Sequence, residues 1–241
     1  MFFSNDNEMD SEVKMQKEKI IKTYQDPEIV KDFDKLRGEM YAKQKGKQEF
    51  EEGCLLRGLS ILEEPIRVLD VGCGTGRMIP LLLETEKDIY YNGLDTSMEM
   101  LGRLHDKFSE NILELNQGDA TKMIFNDNSF DIVYCFHVLW HLPPKEQEKI
   151  IKEMKRVCKP EGVIIFDTLN KNFIYNYLFP SKNKEIYKVD KTFIKKILPK
   201  DKIYIDTFND SPNILARLSN IIKIRSKSFY HLHVYSVVVK K

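Results

Sequence analysis

The residues whose types and spacing suggest a chemical function lie in a glycine-rich loop that follows an apolar strand. Residues 68–76 read Val-Leu-Asp-Val-Gly-Cys-Gly-Thr-Gly, so three glycines stand at alternate positions. At Gly72, Gly74 and Gly76 the backbone can turn sharply and approach a ligand without a Cβ in the way. The mostly apolar run that follows, residues 77–83, predicts a buried helix. Strand, loop and helix in this order predict a site for a nucleotide cofactor.

The charge of the loop separates two classes of nucleotide cofactor. Dinucleotides present a pyrophosphate to the helix N-terminus, and the carboxylate of Asp70 at the strand end would repel it. The dinucleotide spacing would also need a third glycine where Arg77 stands. S-Adenosylmethionine carries an ammonium and a sulfonium group instead of phosphate, and a carboxylate attracts both cations. The sequence therefore favours S-adenosylmethionine, with a solvated aspartate beside a structural turn as the alternative.

Two further strand-like segments also end in an aspartate. Residues 89–95 end in Asp95, ~20 residues past the glycines, where a carboxylate can accept hydrogen bonds from both ribose hydroxyls. Residues 113–118 lead into Asp119 and Ala120, which could accept from an adenine amine and donate to the adenine ring. A single aspartate after a strand is commonly a turn former or a helix N-cap. Three of them, together with a glycine loop, favour a cofactor site.

In these motifs the chain resembles the class I S-adenosylmethionine-dependent methyltransferases, of the methyltransferase type 11-like group. The resemblance covers residues 61–170 and implies a Rossmann-like α/β fold. That fold is a doubly wound, seven-stranded, mostly parallel sheet whose last strand is antiparallel, with helices on both faces. Glu161 departs from the pattern, because relatives often have glycine there. Besides the glycine loop, the resemblance is carried by Gly93–Leu101, Gly118–Ala120, Phe130–Val133 and Arg156–Val163.

The resemblance also implies which residues contact the cofactor. One group meets the methionine moiety, one residue binds the ribose, a second group surrounds the adenine, and Phe136 lies near the sulfonium. The residues implied for the methionine moiety are Asp70, Gly72, Cys73, Gly74 and Gly76; the ribose residue is Asp95; those for the adenine are Thr96, Met98, Asp119 and Ala120.

Two histidines are the predicted catalytic residues. Methyl transfer from a sulfonium is an in-line displacement, so an enzyme mainly needs to hold the acceptor and the methyl group in line. A general base is needed only where the acceptor is a hydroxyl or a protonated amine. His137 and His141 follow the fourth strand, where the resemblance puts the reactive end of the cofactor, and a histidine suits that role. Packing and loop hydrogen bonding are the alternative role for both.

The elements that must position these residues alternate along the chain. Strand-like runs at 66–70, 89–95, 113–118, 131–136 and 163–167 are separated by helical patterns, as between residues 145 and 158. Such alternation predicts a parallel, doubly wound sheet that binds its ligands at the carboxyl ends of the strands.

Two parts are expected, an N-terminal helical cap over residues 1–62 and the cofactor-binding domain over residues 63–241. The cap contains a charged helix at 13–24 and a second start at Asp26-Pro27. Aromatic residues between 170 and 189 predict an insertion that covers the acceptor, or alternatively a helix that seals the sheet. The last third predicts helices at 190–198 and 213–224 and strands at 202–208 and 229–239.

Composition predicts a soluble cytoplasmic enzyme with no membrane partner. The chain is 42% hydrophobic and 31% charged, no apolar run approaches the ~20 residues of a bilayer span, and the start lacks a signal-peptide pattern. The four cysteines stand far apart, so neither a metal site nor a disulfide framework is expected. The oligomeric state cannot be inferred.

The acceptor is expected to be a small molecule, methylated on oxygen or nitrogen. Residues 181–241 carry 14 basic and 5 acidic side chains, which keeps RNA or protein open as an alternative acceptor, although nucleic acid is not favoured. The segment Cys135–Val138 reads Cys-Phe-His-Val instead of the Asn/Asp-Pro-Pro-Tyr/Phe typical of base-amine methylation. A cofactor-binding module without turnover is a further alternative.

Overall fold

The computed structural model of the protein describes residues 15, 18–19, 22–43, 45–110, 114–171, 186–199, 201–208 and 234–240. The helices with defined bounds are α1 (Pro27–Lys43), α2 (Lys45–Ser60), α3 (Ile79–Glu84), α4 (Met98–Phe108), α5 (Pro144–Val157) and α6 (Lys191–Ile197), with a 3₁₀ turn at Leu139–His141. The strands are β1 (Ile66–Val71), β2 (Ile89–Asp95), β3 (Glu114–Gln117), β4 (Phe130–Cys135), β5 (Cys158–Asn170), β6 (Lys188–Val189), β7 (Lys202–Phe208) and β8 (Val234–Lys240). Within this part of the chain, no helix combines the length and apolar character that crossing a membrane requires.

One sheet joins these eight strands, and seven of them follow the order β3-β2-β1-β4-β5-β8-β7. Neighbouring strands from β3 to β5 along this order are parallel, while β8 runs antiparallel to both β5 and β7. The predicted Rossmann-like α/β class is therefore confirmed. The two-residue strand β6 pairs with β5 beside the main order and was not expected.

Two hydrophobic layers cover the two faces of the sheet. Side chains of successive residues on a strand point to opposite faces, so β1 contributes Val68 to one layer and Leu69 to the other. Helices α5 and α6 pack on the face that includes Leu69, and helices α2, α3 and α4 pack on the face that includes Val68. Cys54, Leu55 and Leu59 of α2 are buried in this layer, and a Cβ built at Gly58 would lie 2.9 Å from Ile132 Cδ1. The sheet thus fixes the strand ends between two packed layers.

Several elements differ from the sequence prediction or lie beyond the described residues. Strand β5 begins at Cys158, five residues before the predicted start, because Cys158 pairs with Phe130 and a register shift follows. Glu161 adopts a φ of 64° in this irregular stretch, which is the left-handed conformation that favours glycine. Half of the predicted helix at 13–24, most of the 170–189 insertion and all of the predicted helix at 213–224 lie outside the described residues.

Candidate functional site

A cavity of about 550 Å³ opens at the carboxyl ends of the parallel strands, which is where open α/β sheets bind their ligands. The glycine loop after β1, the ends of β2 and β4, and helix α1 form its walls. Its lining includes Asp70, Gly72–Met78, Asp95, Thr96, Gly118–Ala120, Phe136–Val138 and His141, with Tyr24, Phe33, Asp34, Gly38 and Gln48 from the N-terminal region.

The glycine loop needs its glycines for conformation and for space. Gly72, Gly74 and Gly76 have φ angles of 75°, 54° and 80°, all left-handed. A Cβ at Gly72 would lie 2.3 Å from Val138 Cγ2, whereas a Cβ at Gly74 would meet nothing within 4 Å. The Gly72 amide donates to the Leu94 carbonyl at 2.7 Å, which anchors the loop to β2. The backbone is therefore exposed towards the cavity where the sequence predicted it.

Asp70 lies at the base of the loop, almost fully buried. The hydroxyls of Tyr91 and Tyr134 both donate to its Oδ2, at 3.0 Å and 2.9 Å. Burial raises the pKa of Asp70 to about 7, although the two hydroxyls and the charge of Arg77 oppose the rise. A cation that enters the cavity would favour the ionised carboxylate. Burial also raises the pKa of the neighbouring Cys73 thiol, which stays protonated.

Asp95 connects the glycine loop to helix α4. Its Oδ2 accepts from the Gly74 amide and its Oδ1 from the Ser97 amide, both at 2.9 Å. Ser97 in turn caps α4, since its Oγ accepts from the Met100 amide at 3.1 Å. Burial raises the pKa of Asp95, although the hydrogen bonds from these amides act to lower it. Each carboxylate oxygen has a second lone pair, so Asp95 can hold the loop and still accept from a bound hydroxyl.

The predicted adenine residues fall into two groups. Thr96, Asp119 and Ala120 line the cavity, and Asp119 Oδ1 accepts from the Thr121 amide at 2.9 Å. Met98 does not line it. Met98 is 55% exposed on the first turn of α4, and its place beside the adenine stays a prediction. Met100, which is buried two residues further along α4, lines the cavity.

Helix α1 closes one wall of the cavity. Asp34 Oδ1 accepts from Thr75 Oγ1 at 2.6 Å, and its other oxygen pairs with Lys107 of α4. Burial raises the pKa of Asp34, but the bonds from Lys107 and Thr75 outweigh it and lower that pKa below its usual value. Ser97 Oγ donates to the Tyr24 carbonyl at 2.6 Å. These bonds fasten the N-terminal cap to the loop and to α4.

A buried charged cluster stands beside the end of β4. It consists of Lys47 and Glu51 from α2, Arg77 from the glycine loop, His137, and Asp167 from β5. Glu51 Oε1 lies 2.7 Å from His137 Nε2, and Glu51 Oε2 lies 3.0 Å from Arg77 Nη2. Glu51, His137 and Asp167 each offer a possible metal-ligand atom, and these atoms lie within 4.8 Å of one another.

The two predicted histidines have different surroundings. His137 is buried in the charged cluster and has a φ of 64°. His141 is half-buried on the 3₁₀ turn, and its ring stacks on Trp140 with centroids 4.6 Å apart. Both histidines line the cavity, and the partner of His137 is the carboxylate of Glu51, the kind of partner that orients a general base.

Sequence reasoning missed the partners of these residues. Glu51, Asp34 and Asp167 lie far along the chain from the residues they bind, and no local motif marks them. One signal was present for Glu51: it is an acidic residue beside the apolar helical face that starts at Phe50 and continues at Cys54. A carboxylate at the edge of a buried face needs a partner.

Comparisons with known proteins bear on the region around this cavity. Residues 69–166 match the family model described as a methyltransferase domain. The chain is 37% identical over 103 residues to a phosphatidylethanolamine N-methyltransferase of Cereibacter sphaeroides, covering 41% of this chain and 48% of that protein. It is 31% identical over 137 residues to a ubiquinone biosynthesis O-methyltransferase of Paraburkholderia phymatum, covering 56% and 54%. The chain thus spans about half the length of these curated relatives.

The fold also matches solved structures. A magnesium protoporphyrin IX methyltransferase from Synechocystis, solved with bound S-adenosylhomocysteine (SAH), aligns with a TM-score of 0.63 at 19% identity, covering 93% of this chain and all of that one. At this identity the alignment establishes the shared fold.

Proposed function

We propose that this chain, a class I S-adenosylmethionine-dependent methyltransferase by its motifs, matched domain and sheet order, moves a methyl group to an oxygen or nitrogen of a small molecule. The observation that carries the proposal is the buried carboxylate of Asp70 at the base of the glycine loop. A phosphate would oppose ionisation of this carboxyl group, whereas the ammonium and sulfonium of S-adenosylmethionine favour it.

The cavity residues divide into roles for the three parts of S-adenosylmethionine. Asp70 and the loop from Gly72 to Gly76 would hold the methionine moiety, and Asp95 would accept hydrogen bonds from the ribose. Thr96, Asp119 and Ala120 would surround the adenine, and Phe136 would lie near the sulfonium. The bound cofactor supplies an electrophilic methyl group. The residues of this chain bind it, exclude water and orient the acceptor.

Two features support a small acceptor. Helix α1, through Asp34, and the preceding residue Tyr24 cover the cavity together with their partners, and an enclosed site suits a molecule that can be surrounded. The matched relatives are named for the methylation of phosphatidylethanolamine nitrogen and of an oxygen in ubiquinone biosynthesis. Residues 170–189 are proposed to contribute to the acceptor side of the site.

Most of the proposed rate acceleration comes from holding the acceptor and the methyl group in line. In-line displacement needs the acceptor atom, the methyl carbon and sulfur on one line, and holding such a geometry contributes up to ~7 to 11 kcal/mol in well-oriented systems. A rigid sheet edge and packed helices provide this. A base is required only for acceptors that carry a proton to be lost.

A second candidate is methylation of RNA or protein through the basic C-terminal region, favoured by the 14 basic and 5 acidic side chains of residues 181–241. Binding to nucleic acid would weaken steeply with salt, because it releases counterions. Activity on a neutral small acceptor that does not change with salt would remove this candidate.

The test has a binding step and a turnover step. Calorimetric titration should give tight binding of S-adenosylmethionine and none of NADH, and tighter binding of NADH would contradict the assignment. Whole-cell extract is then incubated with the protein and deuteromethyl-labelled S-adenosylmethionine, and mass spectrometry identifies the labelled product. Binding of S-adenosylmethionine without any labelled product would favour a cofactor-binding module without turnover.

A further inference from the structure

The roles proposed for cofactor binding leave the buried charged cluster beside β4 unassigned. We propose that Glu51 is a positioning residue that holds His137 as the proton acceptor of the reaction. The acceptor is then a hydroxyl compound that loses its proton as it is methylated. This inference rests on the proposed methyltransferase function and deepens it, since it names the chemical class of the acceptor.

The contacts of Glu51 define the state of the His137 ring. Glu51 is fully buried, and its Oε1 lies 2.7 Å from His137 Nε2. Arg77 at 3.0 Å and Lys47 at 3.8 Å balance the charge of an ionised carboxylate at this position. An ionised carboxylate only accepts hydrogen bonds, so His137 must donate from Nε2. In the neutral ring the proton-accepting nitrogen is then Nδ1.

Asp167 fixes the backbone that presents this ring. The His137 amide donates to Asp167 Oδ1 at 2.7 Å, and His137 has a φ of 64°, a conformation that costs free energy in a residue with a Cβ. Burial raises the pKa of Asp167, although His137 opposes the rise. His137 lies where the chain leaves β4. Its backbone is held by Asp167 of β5 and its ring by Glu51 of α2.

The cluster lies beside the part of the cavity assigned to the methionine moiety. Strands β1 and β4 pair directly, with Asp70 opposite Tyr134, so the residues that follow each strand are neighbours. Val138 Cγ2 would lie 2.3 Å from a Cβ at Gly72, and His137 itself lines the cavity. A base at His137 is therefore next to the loop and remote from the adenine residues after β3.

The proton and the electrons balance in one step. The acceptor O–H bond breaks, His137 Nδ1 takes the proton, and the oxygen electron pair forms the new bond to the methyl carbon. The bond between this carbon and sulfur breaks, and its electron pair stays on sulfur as a neutral thioether. Positive charge has then moved from sulfonium to imidazolium, beside Glu51. The proton later returns to solvent.

A metal centre is the competing use of the same side chains, because Glu51, His137 and Asp167 have suitable ligand atoms. Two observations favour the proton-accepting role. The 2.7 Å separation of Glu51 Oε1 and His137 Nε2 is that of a direct hydrogen bond. Arg77 and Lys47 already supply positive charge to Glu51, and a divalent cation would add to it in a buried site.

The first experiment observes the histidine ring directly and needs no acceptor. Protein labelled with ¹⁵N in the imidazole rings is compared with Glu51→Gln, and His137→Gln assigns the signal. We expect the neutral His137 ring to carry its proton on Nε2, with slow exchange that the Glu51→Gln substitution speeds up. A proton on Nδ1 in the wild type overturns the proposal. The wild-type spectrum alone can overturn the proposal, so the test stands even if Glu51→Gln does not fold.

The second experiment uses the acceptor found by the labelled-cofactor incubation. Glu51→Gln should lower kcat by ~10²-fold, the lower end of what a general base contributes, with much less change in the affinity for S-adenosylmethionine. The acidic limb of the pH profile of kcat should move to lower pH, because the imidazolium loses its counter-charge, and a packing defect would not move it. Glu51→Asp should recover part of the rate. Glu49→Gln, an exposed change on the same helix, is the matched control.

Three results would overturn the proposal while leaving the proposed function intact. They are an unmoved acidic limb in Glu51→Gln, an accepting atom that is not a hydroxyl oxygen, and activity that chelator removes and a divalent ion restores. The last would assign the cluster to a metal. Absence of any labelled product would instead refute the proposed function, and the histidine spectrum would still be readable.

Discussion

Asp70→Asn isolates the charge on which the cofactor assignment depends. Asparagine has nearly the same shape as aspartate, and its side-chain oxygen can accept from the hydroxyls of Tyr91 and Tyr134 as Asp70 Oδ2 does. The substitution therefore keeps the packing at the base of the glycine loop and removes the titratable group. We expect a folded protein whose stability and cofactor affinity change in opposite directions at high pH.

The stability effect follows from the raised pKa of Asp70. Burial holds that pKa at about 7 in the folded protein, so folding takes up a proton between the unfolded pKa and pH 7. Stability of the cofactor-free wild type therefore falls as pH rises through this window. At ~1.4 kcal/mol per pKa unit, the wild type should lose about 3 kcal/mol relative to Asp70→Asn between pH 5 and pH 8. The variant should be the more stable protein at pH 8.

The binding effect has the opposite sign. S-Adenosylmethionine favours ionised Asp70, so below pH 7 the wild type must release a proton to bind, and its affinity should fall by up to tenfold per pH unit. Asp70→Asn should show no such dependence. A charge pair at 4 Å is worth ~4 kcal/mol at an effective dielectric constant of 20, and desolvation offsets part of it. At pH 8 the variant should therefore bind at least ~10-fold more weakly.

Chemical unfolding and calorimetry at pH 5, 6, 7 and 8 test both effects. Asp88→Asn is the matched control, since Asp88 is exposed and precedes β2 at the opposite end of the strand from the cavity. If Asp70→Asn and the wild type share one pH profile of affinity, the electrostatic reasoning about the cofactor is wrong.

Four further substitutions test the loop and the cap. Gly74→Ala should cost about 1 kcal/mol of unfolding free energy from its left-handed φ, and Gly72→Ala about 1 to 3 kcal/mol more because its Cβ would meet Val138; equal losses in denaturant melts would contradict the difference in space. Asp95→Ala should weaken S-adenosylmethionine by about 2 kcal/mol in calorimetry, and unchanged affinity would remove the ribose assignment. Asp34→Ala releases α1 and should speed cofactor dissociation in stopped flow by about fivefold, as for one lost hydrogen bond worth about 1 kcal/mol; an unchanged rate would mean that α1 does not limit exit.

The site residues that could be predicted are those that a local motif or the order of the strands places at the cavity. Asp70 and Asp95 end adjacent parallel strands, and the strand pattern alone brings their ends to one edge of the sheet. Met98 shows the limit of this reasoning, because helical phase within one turn decides whether position 98 or 100 faces the cavity. That phase depends on how Leu101 and Leu104 of α4 pack in the core, which the motif does not specify.

The charged cluster could not be predicted, because its contacts are made between elements. Glu51 and His137 are 86 positions apart, and their contact depends on how α2 docks against β4 and β5. Gly58 permits that docking, since a Cβ there would lie 2.9 Å from both Ile132 Cδ1 and Ile165 Cδ1. Amphipathic spacing predicts that α2 packs on the sheet, but it does not predict the depth of packing that buries a carboxylate.

The N-terminal cap and the sheet therefore both contribute residues to one site, although the sequence predicts a domain boundary near residue 62. Helix α1 provides Asp34, which binds Thr75 in the glycine loop, and α2 provides Glu51, which binds both Arg77 and His137. Each contact joins a cap carboxylate to a residue at the edge of the cavity. An isolated sheet domain would leave Arg77 and His137 without Glu51, and a buried charge that loses its partner costs several kcal/mol. The helices before β1 are thus required for the charge balance of the site as well as for covering it.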